Sequence, residues 1–367
     1  MRTQASASKG KIRPSVGSLL TILVLAAMGA ALATGSLRFL WDATSWQMGF
    51  AVLPQDPSDP YWRTIGISIL NTLVVAAVSI ALATVIGSLV AFMAVSGNSL
   101  WSKLAAAYVQ FFRNMPLILQ ALFWFAVISH LPAPRRAVQF LGIAASNRGV
   151  SVPFLTAAGQ AAVAAAIIAV VAVLALMRRY RPFQRGRALF ALVVGLVVGW
   201  VLPAFFFPGE AFGSVPELKG FNFVGGVHMP TELISILIAM TLFGSAYIAE
   251  IIRGGFATVP KGVIEAARAL ALPSWVVELK VRVPLALRAA ILPMGSQYTT
   301  LIKATSIGLA VGFTDLFAVT LMSINQSGHT VSLLCVMTAC FVLLNQAVVS
   351  IANALNHAFE IPGYSAN

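Results

Sequence analysis

The chain is 367 residues long, 59% hydrophobic and only 10% charged, with a mean hydropathy of +0.89. That is more apolar side chain than a soluble domain of this length could hide from water, so lipid must be the solvent for much of it. The net charge of +13 would suit nucleic acid only if a soluble domain carried one basic face, and no polar stretch here is long enough to form one, which excludes nucleic acid as a partner.

A helix crosses roughly 30 Å of hydrocarbon with about 20 mostly apolar residues. In chain order eight such runs occur, at 15–37, 64–95, 112–131, 152–177, 188–207, 231–249, 289–311 and 331–351. A transmembrane barrel would alternate over segments of about 10 residues, and the run 161–176 does not alternate at all. The expected fold is an all-α polytopic membrane protein of about eight transmembrane helices.

The first run follows a basic segment and contains Ala31-Leu32-Ala33, which imitates a signal-peptidase site. It exceeds the roughly 7–15 residues of a signal-peptide core and so reads as a retained span. The segment 41–62 that follows holds Pro54, Pro57 and Pro60 with Asp42, Asp56 and Asp59; it is a turn-rich connector without helical period. Further on, 178–187 packs five arginines between two bland spans. It reads as a topological anchor, with recognition of lipid headgroups as the other reading.

Placing both termini in the cytoplasm puts 17 of the 24 lysines and arginines in cytoplasmic segments, six outside and Lys303 within a span, as the positive-inside rule requires. Arg135, Arg136 and Arg148 fall outside and go against it. Cys335 and Cys340 lie five apart on one predicted helix, where side chains diverge too far to be bridged.

The cytoplasmic segment 253–288 is too long for a tight turn and too well patterned to be disordered. Pro260 suits the first turn of a helix, with Thr258 before it to supply a capping oxygen. A helix over 261–272 follows, with Val263, Ala266, Ala267 and Leu270 at helical spacing, until Pro273 stops it. Ser274 can cap a second helix with Glu278 in its first turn, and Pro284 interrupts that one. The expectation is two short amphipathic helices joined by a bend. Small residues at Ala266 and Ala267 allow close approach by a partner, and Glu265 can cap a helix or pair with a basic group.

Glu265-Ala266-Ala267, three residues, Ala271, nine residues, then Val281-Arg282-Val283-Pro284 resembles the "EAA" loop of bacterial ABC importer permeases, whose coupling helices dock in a groove of the ATPase. Ala246-Tyr247-Ile248-Ala249-Glu250-Ile251-Ile252-Arg253-Gly254-Gly255 resembles the entry into that loop in the polar amino-acid subfamily, the histidine, glutamine and general L-amino-acid permeases. Asn71-Thr72-Leu73, Phe112-Arg113-Asn114-Met115-Pro116-Leu117 with Gln120, and Lys303-Ala304-Thr305-Ser306-Ile307 resemble its core helices. The resemblance covers about 64–131 and 231–351. It implies a five-helix permease core plus three extra helices, divided as 1–63 (extra helix and periplasmic connector), 64–131 (first part of the core), 132–230 (an inserted helix pair with its loops) and 231–367 (the rest of the core, with the coupling loop 253–288). It further implies an inner-membrane importer subunit moving amino acids inward by alternating access. The implied partners are an ATPase dimer, a second permease (identical or a paralogue), a periplasmic solute-binding protein and the surrounding lipid. One departure is that the family's loop Gly is here Ala271. If that position is left-handed, a Cβ costs about 1–2 kcal/mol; otherwise Pro273 makes the bend another way, or docking is altered.

The chain is not expected to hydrolyse ATP or hold a cofactor itself, because a phosphate-binding loop needs G-x-x-x-x-G-K-[ST] and its nearest imitation, from Gly255 to Lys261, has Pro260 at the second Gly. For the substrate path, an ionisable group inside the membrane costs at least ~2.5 kcal/mol and so draws attention. Lys303 is the clear candidate, its ammonium meeting a substrate carboxylate, pairing internally with Glu250, or snorkelling outward. Gln297, Thr305, Ser306 and Asn71 could line the same cavity, although hydroxyls in membrane helices often bond only a backbone carbonyl. The competing readings are an ion-coupled secondary amino-acid carrier, which would show two inverted halves, and a membrane scaffold that transports nothing.

Overall fold

The computed structural model describes residues 37–180, 193–199 and 211–358, together with 26, 201, 206, 207 and 209. Nearly all of the expected span 15–37, most of 188–207 and most of the arginine-rich stretch 178–187 lie outside the described residues. What is described falls into two compact units, divided between Trp124 and Phe125 and between Ile234 and Ser235.

The first unit holds most of the long apolar helices. Helix α1 (Tyr61–Ala94) begins directly after Pro60 and, at 1.5 Å per residue, is about 50 Å long. The connector before it is turn-rich, with a short 3-10 turn at Arg38–Trp41 and an isolated bridge between Ala43 and Pro60. Helix α2 (Ser99–Asn114) is capped by Asn98, whose side chain accepts from the Leu100 amide at 2.9 Å. Helix α3 (Leu117–Ser129) follows after a 98° bend at Met115-Pro116, so the apolar run 112–131 does not make one straight helix. The residue before a proline is pushed out of the helical region, and Met115 is accordingly extended, at φ −87° and ψ 122°.

Helix α5 (Thr231–Ala257) lies at the centre, with over half of its most apolar window buried (56%), whereas α9 (Thr330–Ala358) buries only 6% of its own. Lipid or a partner must cover α9. Between them run α6 (Lys261–Ala269), α7 (Val283–Ala304), a 3-10 stretch Thr305–Val311 and α8 (Leu316–Ser327), bent by 53° at that break. Small residues let the helices close up, as membrane helices require. A Cβ on Gly87 of α1 would meet the Ser245 carbonyl oxygen of α5 at 2.7 Å. The core formed there joins Ala83, Ala91, Ala105, Ile248, Ile252 and Ala290, and hydrogen bonds from Tyr108 to Ser245 (2.6 Å) and between Thr84 and Tyr298 (2.9 Å) cross it.

Among the described residues three helices, α1, α5 and α9, are long and apolar enough to span a bilayer alone, and the two bent pairs raise the number to five. The protein is therefore a mostly helical membrane protein.

The second unit corrects the all-α expectation. Strands β1 (Val138–Phe140), β2 (Ile143–Ser146), β3 (Gly149–Val152) and β8 (Val227–Pro230) form an antiparallel sheet in that order, while β4 (Phe154–Leu155) pairs with β5 (Gly213–Ser214) and β6 (Glu217–Lys219) with β7 (Asn222–Val224). Gly149 sits at φ +120°, and a Cβ there would meet the Met229 carbonyl oxygen at 2.1 Å, so the β3–β8 pairing depends on glycine. The expected span 152–177 starts later than its apolar run, because Val152 ends β3 and 154–155 is β4; helix α4 is Ala157–Tyr180. Two of the three arginines that go against the positive-inside expectation are held within this unit. Arg135 stacks over Phe221 at 4.3 Å and Arg148 donates to the Asn222 side-chain oxygen.

Candidate coupling segment and substrate path

The segment after α5 is built to stay rigid. Gly255 allows the end of α5 to touch the start of α7, where a Cβ would come within 2.4 Å of the Ala286 carbonyl oxygen. Arg282 pairs with Glu278 at 3.2 Å and lies 5.4 Å from the Phe256 ring centroid, which ties the entry of α7 to α5.

Helix α6 ends at Ala269, three residues short of the expected end, because Ala271 turns left-handed at φ +54°. The position where the resembling family carries Gly is thus a left-handed bend, and this chain makes it with a Cβ, ahead of Pro273. The expected caps differ too. Pro260 and Pro273 occupy the N-cap positions without side-chain bonds, and the Thr258 hydroxyl donates backward to the Gly255 carbonyl at 2.8 Å. The second short helix is one turn, Ser274–Val276, continued by a π-helical run, Val277–Arg282, into α7. Pro284 lies at the second position of α7 and does not interrupt it. A π-turn rearranges the backbone bonds that a proline cannot complete.

Glu265 and Ala266 face outward and Ala267 is buried. Beside them Leu270 (74% exposed), Trp275 (62%) and Leu279 (60%) stand open to solvent around the bend. Apolar side chains so exposed on a polar loop mark a surface made for a partner. Sequence reasoning named the small and acidic residues there and passed over Trp275, although a tryptophan is a common anchor of interfaces.

At Ala271 the strain predicts a stability effect. Ala271→Gly removes about 1–2 kcal/mol of left-handed strain and adds roughly 0.5–1 kcal/mol of chain entropy. A net gain of up to about 1.5 kcal/mol is expected, with Ala271→Val losing stability, since a branched Cβ fits that conformation worse. Thermal unfolding of the detergent-solubilised chain measures both; a lower melting temperature for the glycine variant would remove strain from this position.

The path candidates do not all stand free. Asn71 donates to the carbonyls of Phe50 (3.0 Å) and Thr314 (2.8 Å) and accepts from the Val52 amide (3.0 Å), binding α1 to the connector that precedes it. Thr305 is buried within hydrogen-bond distance of the Ile302 carbonyl (2.9 Å) and the Asp315 carboxylate (3.2 Å), and Ser306 donates to the Lys303 carbonyl (2.8 Å). Gln297, by contrast, is 9% exposed with its amide nitrogen unpartnered among the described residues.

Lys303 is exposed near the end of α7, about 30 Å along it from Val283 at 1.5 Å per residue. Glu250 does not reach it. That carboxylate takes hydrogen bonds from Arg253, at 2.9 and 2.5 Å. The internal pair of Lys303 with Glu250 is therefore corrected to Glu250 with Arg253, three residues apart on one helix, where neighbours meet without spanning helices. Sequence reasoning also missed Asp315, fully buried at the head of α8 and accepting from the Ala318 amide at 2.8 Å. An Asp directly before an apolar helical run is a capping signal that could have found it.

Comparison with known proteins accords with this geometry. A family described as "Binding-protein-dependent transport system inner membrane component" matches residues 184–360. YhdX of Escherichia coli K12, named as an amino-acid ABC transporter permease protein, is 36% identical over 340 residues, covering 89% of this chain and 86% of YhdX. The "General L-amino acid transport system permease protein AapQ" of Rhizobium johnstonii is 37% identical over 314 residues, 81% of this chain and 77% of AapQ. The "Glutamate/glutamine/aspartate/asparagine transport system permease protein BztB" of Rhodobacter capsulatus is 28% identical over 375 residues, 89% of this chain and 86% of BztB. The segment 253–288 and the helices that carry it lie inside the family match, and the chain belongs to the polar amino-acid permeases of ABC importers, multi-pass inner-membrane subunits that work with a separate ATPase.

Proposed function

We propose that the chain carries polar L-amino acids from the periplasm to the cytoplasm as one of two permeases in the complex, with both termini in the cytoplasm. A solute-binding protein delivers the amino acid at the outer face, and an ATPase dimer drives alternating access from the inner one. The observation that carries this reading is the segment 253–288, where exposed Glu265, Leu270 and Trp275 surround a bend fixed to α5 and α7. A partner pushing on α6 moves those two helices together, because their backbones touch at Gly255 and Ala286. The substrate class is supported by the names of AapQ and BztB.

Gln297, Lys303 and Ser306 are the residues proposed for the substrate path, with Thr305 and Asn71 shaping it from behind. The unpartnered amide of buried Gln297 supports this, since a buried donor without an acceptor costs about 1–3 kcal/mol and a polar solute would relieve it. The complex reconstituted in proteoliposomes is expected to take up L-glutamine or L-glutamate only with ATP and the solute-binding protein. Uptake driven by an ion gradient without ATP would favour the secondary carrier and overturn the proposal.

A further inference from the structure

A cavity of about 390 Å³ opens between the end of α1, one face of α2 and the last turns of α5. This is within the roughly 300–1,000 Å³ of small-molecule sites. Helix α2 brings Ser102, Ala106, Gln110 and Arg113 to it at successive turns, and α5 brings Glu250 and Arg253. None of Gln297, Lys303 and Ser306 lines it.

Two of its charged groups are incompletely used. Arg113 rests its guanidinium over the Tyr247 ring, 5.0 Å from the centroid, and among the described residues makes no hydrogen bond or ion pair. Its five donors have a fixed fork that matches a carboxylate. Glu250 is held by two bonds from Arg253, which leaves about two of the roughly four acceptor positions of a carboxylate free. The cavity thus holds a cation lacking an acceptor and, beside it, an anchored anion with room for a donor.

We propose that this cavity is a second amino-acid site, with the α-carboxylate on Arg113, the α-ammonium on Glu250, and Gln110 and Ser102 turned to a polar side chain. A purely anionic occupant, such as a phosphate or a lipid phosphodiester, would satisfy Arg113 but leave Glu250 repelling it, so the paired charges select a zwitterion. An occupant joins α2 to the part of α5 that leads into the segment 253–288, which gives the site a means of acting on coupling. The inference rests on the amino-acid importer reading.

Equilibrium binding of radiolabelled L-glutamine, L-glutamate, L-histidine and L-arginine to the assembled permease–ATPase complex in nanodiscs, without the solute-binding protein, tests it. The Lys303→Met background keeps the proposed path from contributing. Binding of at least one of the four is expected. Arg113→Gln and the cavity-filling Ala106→Leu should each weaken it at least tenfold and Arg113→Lys less, and neither the N-acetyl nor the carboxamide derivative of the bound amino acid should compete. Binding of none of the four, or unchanged binding in Ala106→Leu or in an assembled Arg113→Gln complex, overturns the site. Displacement by inorganic phosphate or phosphatidylglycerol but not by amino acids overturns the zwitterion as occupant. Amino-acid uptake by the wild-type complex is measured in parallel. Uptake without any effect of these variants on binding defeats the cavity alone, while absence of uptake defeats the importer reading.

Discussion

Replacing Glu265 with Lys is expected to cut the ATP hydrolysis stimulated by the loaded solute-binding protein about thirtyfold or more, with membrane insertion unchanged. Glu265 is exposed on α6 beside Ala266, so it reaches a docked partner without first leaving the protein interior. Reversing a charge that becomes buried in an interface costs about 2–5 kcal/mol, and each 1.4 kcal/mol is about tenfold. The loss should appear as weaker docking, because the contacts that fix the segment to the membrane helices, Arg282 with Glu278 and Gly255 against Ala286, do not involve Glu265. Quantitative blotting of membranes separates expression from coupling, and co-purification of the ATPase reads docking directly. Normal uptake and normal ATP hydrolysis in the variant would rule out Glu265 as part of the docking surface.

How far the sequence could be read depended on the range of the interactions that decide each feature. Helix α1 was legible because thirty-odd apolar residues without a break leave the backbone no alternative in lipid, and the expected 64–95 lies within one residue or so of the observed end at Ala94. The bend within 253–288 was legible by spacing, and so was the question raised at Ala271, since a family glycine replaced by alanine points to one backbone position, which is left-handed at φ +54°. The helix ends there were less so. Thr258 and Ser274 are suitable caps by type, but a cap depends on where the first helical turn falls, and prolines already held both N-cap positions.

The strands of 138–152 and 213–230 were hidden for a different reason. All are two to four residues long, too short for alternation to register, and they are specified by partners such as β3 and β8, more than seventy residues apart. The roles of the residues proposed for the path were the least legible. Asn71 and Thr305 are polar residues in apolar runs, yet Asn71 is held by Phe50 and Thr314, the latter 243 residues away, and Thr305 by Asp315 across the break before α8. Residue type alone could not distinguish a side chain that holds the fold from one whose polar atom is left without a partner, as the buried amide nitrogen of Gln297 is among the described residues.

For Lys303, Lys303→Met keeps the length and the apolar stem while deleting the charge, and uptake is expected to fall at least about tenfold, the loss of one charged hydrogen bond of roughly 1.5–3 kcal/mol. Expression should hold, because Lys303 is exposed and among the described residues has no ion-pair partner to strand. The pairing of Glu250 with Arg253 sharpens the test. Were Lys303 the partner of Glu250, Lys303→Met would leave a carboxylate uncompensated in low dielectric and damage assembly, and adding Glu250→Gln would restore it. With Arg253 already bonded to Glu250, Lys303→Met should assemble normally, and Glu250→Gln should not rescue its uptake. Expression and uptake measured for both single variants and the double form a cycle in which the interaction energy between the two sites should be near zero for assembly. A rescued double variant would restore the internal pair. Unchanged uptake in a well-expressed Lys303→Met would take Lys303 out of the path and leave it to Gln297 and Ser306.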